Sequence, residues 1–176
     1  MPQLKFSIQK QGCSQWCWAA VSASVAAFYG SPQPLPLQCQ LANRVILPGK
    51  DCCQDCNCSS SSGVDEPCDR PADIDVGLNA VGHDRGDGGI PGSATSFALI
   101  RKEIDASRPV AVRIDWDGSP DSHGVVICGY TLDGLVFVAD PMIPDTIKTY
   151  SFDNFKYPSP QGSGNGSWGE TFRTRP

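Results

Sequence analysis

One cysteine stands where the sequence predicts the start of a helix. Residues 11–20 read Gln-Gly-Cys-Ser-Gln-Trp-Cys-Trp-Ala-Ala, and the second cysteine of this segment is Cys17. Apolar residues then recur at three- and four-residue steps, which predicts a helix over residues 16–29 with Ser14 as its N-cap. The unpaired N–H groups and the positive dipole end of a first helical turn favour a thiolate. Cys17 is therefore the candidate nucleophile.

A thiolate nucleophile works with a nearby base, and the chain has two histidines, His83 and His123. His123 opens the apolar segment His-Gly-Val-Val-Ile-Cys-Gly-Tyr, residues 123–130. We interpret the glycine after it as room for a substrate or a neighbouring ring. His83 follows a predicted helix in a polar segment, so we interpret it as a solvated surface residue. His123 is the candidate general base.

A third group should orient the imidazole of such a pair. Asp140 ends the next strand-like segment, Leu-Val-Phe-Val-Ala-Asp at residues 135–140. A carboxylate at a strand end can face a histidine on the neighbouring strand. The alternative is that Asp140 only forms the turn before Pro141.

The pairing of these two strands poses a geometric problem. Asp133 and Gly134 form a strong signal for a two-residue hairpin turn. With a tight turn there, His123 would lie roughly 13 Å along the strand from Asp140, too far for a hydrogen bond. We therefore predict a longer loop over about residues 129–134, or a β-bulge, that shifts the register by four residues so that His123 and Asp140 face each other.

The elements that carry these residues divide the chain into two halves. Further helices are predicted over residues 37–47, 71–81 and 93–105, the last capped by Ser93. Strands are predicted over residues 110–115, 123–130, 135–140 and, at an edge, 167–174. Helices followed by strands indicate an α+β fold. We expect one domain over residues 1–176, with a helical half over about 11–106 and an antiparallel β half over about 109–174.

Nine cysteines are present, and six of them crowd into a short stretch. These six are Cys39, Cys52, Cys53, Cys56, Cys58 and Cys68. Such crowding indicates disulfides in an oxidising compartment or a metal site in a reducing one. The spacing of Cys53 and Cys56 is that of zinc ligands, but no second pair or histidine completes a familiar site, so we favour disulfides. Cys13 is left buried or paired with one of the six, and Cys128 is predicted to be a core thiol.

The charge and composition of the chain argue against some classes of binding partner. The formal net charge is -5 and the isoelectric point about 4.8, which disfavours nucleic acid because phosphate binding needs a basic surface. No segment approaches a membrane span, and residues 1–10 lack the apolar region of a secretory signal. Since only ten residues precede Gln11, we also expect no inhibitory pro-segment. We expect a monomer that the cysteine cluster places outside the cell, with a cytoplasmic location as the alternative.

Together these segments resemble the papain superfamily of cysteine peptidases. Gln11, five residues and then Cys-Trp-Ala resembles the nucleophile motif of that superfamily, and residues 123–130 resemble its histidine strand. The nearer likeness is to compact bacterial members, which include bacteriocin-leader peptidases and a plant-pathogen effector protease family. Those members carry Cys-Trp-Ala-Ala and an Asp-Pro third residue, and the likeness covers roughly residues 5–155.

The resemblance implies a papain-like fold and hydrolysis of a peptide or protein substrate through a thioester on Cys17. It implies His123 as general base and acid, Asp140 as the orienting group, and the Gln11 side chain as part of the oxyanion hole. No metal or organic cofactor is implied. Two alternatives stay open: the same triad acting as an amidase, transglutaminase or isopeptidase, and a cysteine-rich binding module with a vestigial site.

The sequence departs from the larger papain-type enzymes in the spacing of Cys13, in the shorter separation of 106 residues between Cys17 and His123, and in the third residue, which is Asn in those enzymes. Cys13 lies four residues before Cys17, where those enzymes have a disulfide cysteine three residues before the nucleophile, so that bridge is not assumed. Asn165-Gly-Ser-Trp-Gly169 is similar to their third-residue motif. It lies too far beyond His123 to belong to the next strand, so we interpret the similarity as accidental.

Overall fold

The computed structural model describes residues 1–30, 37–46, 49, 51–54, 58, 67–156 and 166–176. The described helices are α1 (Cys17–Phe28), α2 (Gln38–Val45), α3 (Ile74–Ala80), α4 (Phe97–Asp105) and α5 (Phe152–Lys156). The strands are β1 (Ile90–Pro91), β2 (Val110–Trp116), β3 (Ser122–Tyr130), β4 (Leu135–Ala139), β5 (Ile147–Ser151) and β6 (Gly166–Arg173). Most of the helical structure precedes residue 106 and most of the strands follow it, which confirms the predicted α+β class.

Helix boundaries differ from the predicted ones by a few residues. The first helix begins at Cys17 after the N-cap residue Trp16, and not after Ser14. The fourth helix is capped by Ser96, whose hydroxyl oxygen accepts a 3.2 Å hydrogen bond from the Leu99 N–H. Ser93 belongs instead to a short 3-10 helix over Gly92–Ala94. Serine caps a helix only where the chain enters in an extended conformation, and sequence alone did not identify which serine does so.

The six strands form one antiparallel sheet in the order β1-β6-β2-β3-β4-β5. The prediction of an edge strand at residues 167–174 is wrong, because β6 lies between β2 and the two-residue strand β1. The burial of Trp168 and Phe172 fits this inner position. A two-residue strand carries too little pattern to be predicted from sequence.

Two hydrophobic clusters cover the two faces of the sheet. On one face α1 packs against sheet residues such as Val126 and Cys128. On the other face α4 and α5 pack against residues such as Val125 and Ile127. Neighbouring residues of a strand point to opposite faces, so β3 is buried on both sides. Cys128 is fully buried, as predicted for a core thiol.

A bulge interrupts the pairing of β3 with β4. Ile127 lies opposite Val138 and Gly129 opposite Phe137, which leaves Cys128 as the extra residue on β3. A bulge is thus present as predicted, but it adds only one residue, and the predicted register in which His123 faces Asp140 is wrong because Val126 pairs with Ala139. The connecting loop is shorter than predicted, because the Thr131 N–H already donates a 2.9 Å hydrogen bond to the Leu135 carbonyl.

Among the described residues, three disulfides cross-link the helical half and join Cys13 to Cys58, Cys39 to Cys53 and Cys52 to Cys68. The prediction of disulfides in the cysteine-rich segment is confirmed, and Cys13 is both buried and paired with one of the six, so both of its predicted alternatives hold. Cys56 lies outside the described residues. Among the cysteines that the structure describes, Cys17 and Cys128 are free thiols. Such cross-links are consistent with an extracellular protein, and none of the described helices is long and apolar enough to cross a membrane.

Candidate active site

Cys17 is the first residue of α1 and is half-buried. The first N–H groups of a helix have no intrahelical acceptor, so they point toward a group placed at this end. The N-cap residue Trp16 makes no side-chain capping bond within the described part of the chain. The sulfur of Cys17 therefore lies at the electropositive end of the helix. The Trp16 side chain does not compete for the N–H groups there.

Asp140 accepts a 2.7 Å hydrogen bond from Nε2 of His123. Continuing the ladder from Val126 opposite Ala139 would place Met142, and not Asp140, directly opposite His123. Asp140 is the diagonal neighbour on the same face, where Cα atoms lie about 7–8 Å apart and two side chains can span the gap. The bulge thus reduces the distance along the strand between His123 and Asp140. The two side chains are long enough to span the distance that remains.

The Asp140 carboxylate is buried and held on a second side. Its Oδ1 also accepts a 2.9 Å hydrogen bond from the Met142 N–H. Burial favours the neutral acid, but the hydrogen bond and charge of His123, the Met142 N–H and the charge of Lys148 outweigh it and lower the pKa of Asp140. The carboxylate is therefore charged at neutral pH and can hold a protonated imidazole.

His123 is also buried, and its electrostatics follow from its two partners. Burial opposes protonation, but hydrogen bonds to Asp140 and Cys17, with the charges of both groups, raise the pKa of His123 to about 9. Because Asp140 engages Nε2, Nδ1 is the ring nitrogen left for Cys17. The ring is thus held between the carboxylate and the sulfur.

Trp116, at the end of β2, stacks on the His123 ring. The two ring centroids are 6.4 Å apart and the planes are 18° from parallel. In the segment that is similar to the larger enzymes' third-residue motif, Trp168 lies instead in the hydrophobic core and donates to Thr171. Asn165 is outside the described residues. Sequence analysis missed Trp116, whose only signal is its place at the end of the strand beside the histidine strand.

The side-chain amide of Gln11 is engaged by the segment before Cys17. Its Nε2 donates to the carbonyls of Cys13 (3.1 Å) and Ser14 (2.8 Å), and its backbone N–H donates to the Pro141 carbonyl (3.0 Å). Among the described residues, its Oε1 is buried without a hydrogen-bond partner. Gln11 therefore links the segment before Cys17 to the turn that follows Asp140.

Two local interpretations from the sequence are wrong. His83 is buried rather than solvated, with Nδ1 2.9 Å from the Arg175 carbonyl and its ring centroid 4.9 Å from that of Tyr29 in a tilted arrangement. Gly124 leaves room for helix packing and not for a substrate, because a Cβ there would lie 3.1 Å from Ile74. Both outcomes depend on parts of the chain distant in sequence.

A short segment after the last disulfide cysteine also contacts the residues before Cys17. Asp69 accepts hydrogen bonds from the Ser14 hydroxyl and the Gln15 N–H, and the carbonyl of Cys68 accepts one from the Trp16 indole. Sequence analysis missed Asp69, because nothing in its local pattern distinguishes it from a loop aspartate. Among the described residues, no cluster of histidine, cysteine and acidic side chains could hold a metal ion.

Comparison with known proteins identifies a family. A model of the Peptidase_C39 like family matches residues 3–161, a range that includes Gln11, Cys17, His123 and Asp140. A search of curated proteins finds none that matches the chain.

Proposed function

Because the chain belongs to the Peptidase_C39 like family, we propose that it is a cysteine peptidase in which Cys17 is the nucleophile and His123 the general base and acid. The observation that carries the proposal is the His123 ring, held by Asp140 at 2.7 Å and hydrogen-bonded to the thiol at the helix terminus. A base that is itself oriented by a third group is the arrangement that activates a nucleophile. The family match supports peptidase activity. The roles of the individual residues are part of our proposal.

In the proposed first step, protonated His123 stabilises negative charge on the Cys17 sulfur, and the sulfur attacks a peptide carbonyl carbon. The carbonyl π electrons move to oxygen and give a tetrahedral oxyanion. The Cys17 N–H at the helix terminus is the first proposed donor to that oxyanion. A preorganised donor of this kind contributes about 2.7–4 kcal/mol in comparable sites. His123 then protonates the leaving amine, the C–N bond breaks, and a thioester on Cys17 remains.

Gln11 is the second proposed oxyanion donor. Its Nε2 hydrogens now point to the Cys13 and Ser14 carbonyls, so the substrate oxygen must replace one of these acceptors. The exchange is favourable because an oxyanion is a stronger acceptor than a neutral carbonyl. The buried and unpartnered Oε1 of Gln11 leaves the amide less firmly fixed than a fully bonded one.

In the second step, water hydrolyses the thioester. His123, now neutral, takes a proton from the water molecule as it attacks the acyl carbon, and the sulfur leaves as a thiolate. Asp140 keeps the imidazole in one orientation through both steps and stabilises its protonated form. The residues described here complete the cycle with a peptide or protein as substrate.

Turnover of a fluorogenic peptide library by wild type and by Cys17→Ala tests the proposal. We expect cleavage by the wild type and none by the variant. Cys128→Ala is the matched control, because Cys128 is a free but buried thiol and its removal should leave turnover intact. Cleavage that survives in Cys17→Ala would exclude Cys17 as the nucleophile, and cleavage lost equally in Cys128→Ala would show that the effect is not specific. A folded wild type that cleaves none of the peptides would favour the binding module.

A further inference from the structure

The loop before the nucleophile has little support from its own helix. We define the nucleophile loop as residues 13–16. The side chain of its last residue, the N-cap Trp16, does not cap α1 within the described part of the chain. The loop is tied at one end by the disulfide between Cys13 and Cys58. The position of the Cys17 sulfur therefore depends on contacts that the loop makes with other segments.

Asp69 supplies two of these contacts with one carboxylate. Its Oδ2 accepts a 2.6 Å hydrogen bond from the Ser14 hydroxyl, and its Oδ1 accepts a 2.7 Å hydrogen bond from the Gln15 N–H. Both are short, as is typical when the acceptor is ionised, and such bonds are stronger than those between neutral groups. Two bonds from one planar group fix both the distance and the direction of the loop.

The residues on either side of Asp69 hold the two indoles of the same region. The Cys68 carbonyl accepts a 2.7 Å hydrogen bond from Nε1 of Trp16, and the Arg70 carbonyl accepts a 3.2 Å bond from Nε1 of Trp18. Residues 68–70 thus contact the chain on both sides of Cys17. The disulfide between Cys52 and Cys68 joins this segment to the cysteine-rich part of the chain, and Cys68 itself is fully buried.

We propose that Asp69 is a positioning residue that fixes the nucleophile loop so that the Cys17 sulfur meets the His123 ring. The inference rests on the proposed function of Cys17 and His123. The reacting atoms of an enzyme must be placed within a fraction of an ångström, and a misplacement of about 1 Å can cost about 100-fold in rate. A loop anchored by two bonds at Ser14 and Gln15, directly before the nucleophile, controls that placement.

The proposed role is geometric. What favours Asp69 at this position is its pair of acceptor oxygens. Asparagine keeps one acceptor for the Gln15 N–H and presents an amide that donates to the Ser14 hydroxyl oxygen. Asp69→Asn should therefore preserve the geometry, whereas Asp69→Ala should not.

The test compares Asp69→Ala, Asp69→Asn and Ser14→Ala with Asp153→Ala, a control that removes an exposed aspartate on α5. For each folded variant we measure kcat and KM on a fluorogenic peptide and the rate at which iodoacetamide alkylates Cys17. We expect Asp69→Ala to lose about 10- to 100-fold in kcat with little change in KM. Asp69→Asn should recover most of the loss, Ser14→Ala should show a smaller loss than Asp69→Ala, and the control should match wild type.

Two results would overturn the proposal: a wild-type kcat in Asp69→Ala, or equal losses in Asp69→Ala and Asp69→Asn. If Asp69→Ala does not fold, Ser14→Ala decides, because it removes one of the two bonds and a wild-type kcat and alkylation rate there would also overturn it. The alkylation rate needs no substrate. If the wild type cleaves no peptide but Asp69→Ala alters Cys17 alkylation and Asp69→Asn restores it, the proposed function fails and the positioning role stands.

Discussion

His123 and Asp140 form a 2.7 Å hydrogen bond although they are diagonal and not opposite partners on neighbouring strands. The bulge at Cys128 and the loop at residues 132–134 set this offset. A carboxylate two residues along the strand from the position opposite His123 reaches the ring from one edge and leaves the other ring nitrogen for Cys17. The offset therefore lets one imidazole contact two groups at once.

The first prediction concerns the contribution of Asp140. Asp140→Ala removes the acceptor for Nε2 of His123 and leaves that buried N–H unpaired, so turnover should fall about 10- to 1,000-fold. Asp140→Asn should retain more activity, because its amide oxygen still accepts from Nε2. Asn165→Ala is the control, since the motif that contains it is interpreted as accidental. The kcat of all three variants on one fluorogenic peptide is the measurement, and a loss in Asn165→Ala larger than that in Asp140→Ala would reverse the assignment.

The second prediction concerns stability and pH. The pKa of His123 is raised from its ordinary value near 6.5 to about 9, so folding stabilises the protonated imidazole. This contribution is fully present below pH 6.5 and is lost as pH rises through about 9. It is on the order of 3 kcal/mol, since one pKa unit corresponds to about 1.4 kcal/mol.

Urea unfolding of wild type and His123→Gln between pH 6 and about 10 measures this contribution. The difference between their free energies of unfolding should shrink as pH rises across this range. Parallel curves with a constant difference would show that His123 is not the group responsible.

The catalytic candidates were accessible to sequence reasoning because each has a distinctive local context. Cys17 opens a strongly apolar helix, and only one of two histidines opens a strand. The predicted helices and three main strands follow from residue periodicity, which local sequence expresses directly. The bulge was predictable because a tight turn at Gly134 would have separated His123 from Asp140.

The remaining features depend on contacts between distant parts of the chain. His83 is buried in contact with the Arg175 carbonyl and the Tyr29 ring, and neither residue is near it in sequence. The inner position of β6 requires pairing with both β1 and β2. The three disulfides are one choice among many connectivities, which cysteine spacing does not rank. For the same reason Asp69 has no local signal.

The third prediction concerns thiol reactivity. At mildly acidic pH, iodoacetamide should alkylate Cys17 well before Cys128. Cys17 is half-buried at a helix terminus, whereas Cys128 is fully buried and burial raises its pKa to about 11. Cys13 should not react, because it is joined to Cys58. Mass spectrometry of the labelled protein locates the adduct, and a first adduct on Cys13 or Cys128 would argue against Cys17 as the nucleophile.

The fourth prediction concerns Trp116. Its ring stacks on the His123 ring that bonds Asp140, so we expect it to limit the access of water to that ring. In Trp116→Ala, water can compete for that hydrogen bond, so kcat should fall about 2- to 10-fold. Trp116→Phe keeps an aromatic ring at the position and should lose less. Steady-state kinetics of the two variants give the comparison, and an unchanged kcat in Trp116→Ala would remove Trp116 from the site.

The last prediction concerns the disulfides, which are not equivalent in their distance from the nucleophile loop. Cys52–Cys68 holds the segment whose next residue, Asp69, bonds Ser14 and Gln15. Cys39–Cys53 joins α2 to the cysteine-rich segment and serves as the matched comparison. The sequence separations are 16 and 14 residues, so loss of either bond should cost a similar 2–4 kcal/mol of stability.

Activity should separate the two pairs, because only Cys52–Cys68 lies next to the Asp69 contacts. We expect the variant with both Cys52 and Cys68 changed to serine to lose more kcat than the variant with Cys39 and Cys53 changed. Stability is followed separately by thermal unfolding, since added reductant would also act on Cys17. A chelator should leave the activity of the wild type intact, whereas stoichiometric bound zinc would overturn the assignment of these cysteines as disulfides. Equal kcat values in the two serine variants would show that Cys52–Cys68 stabilises the fold without positioning the nucleophile loop.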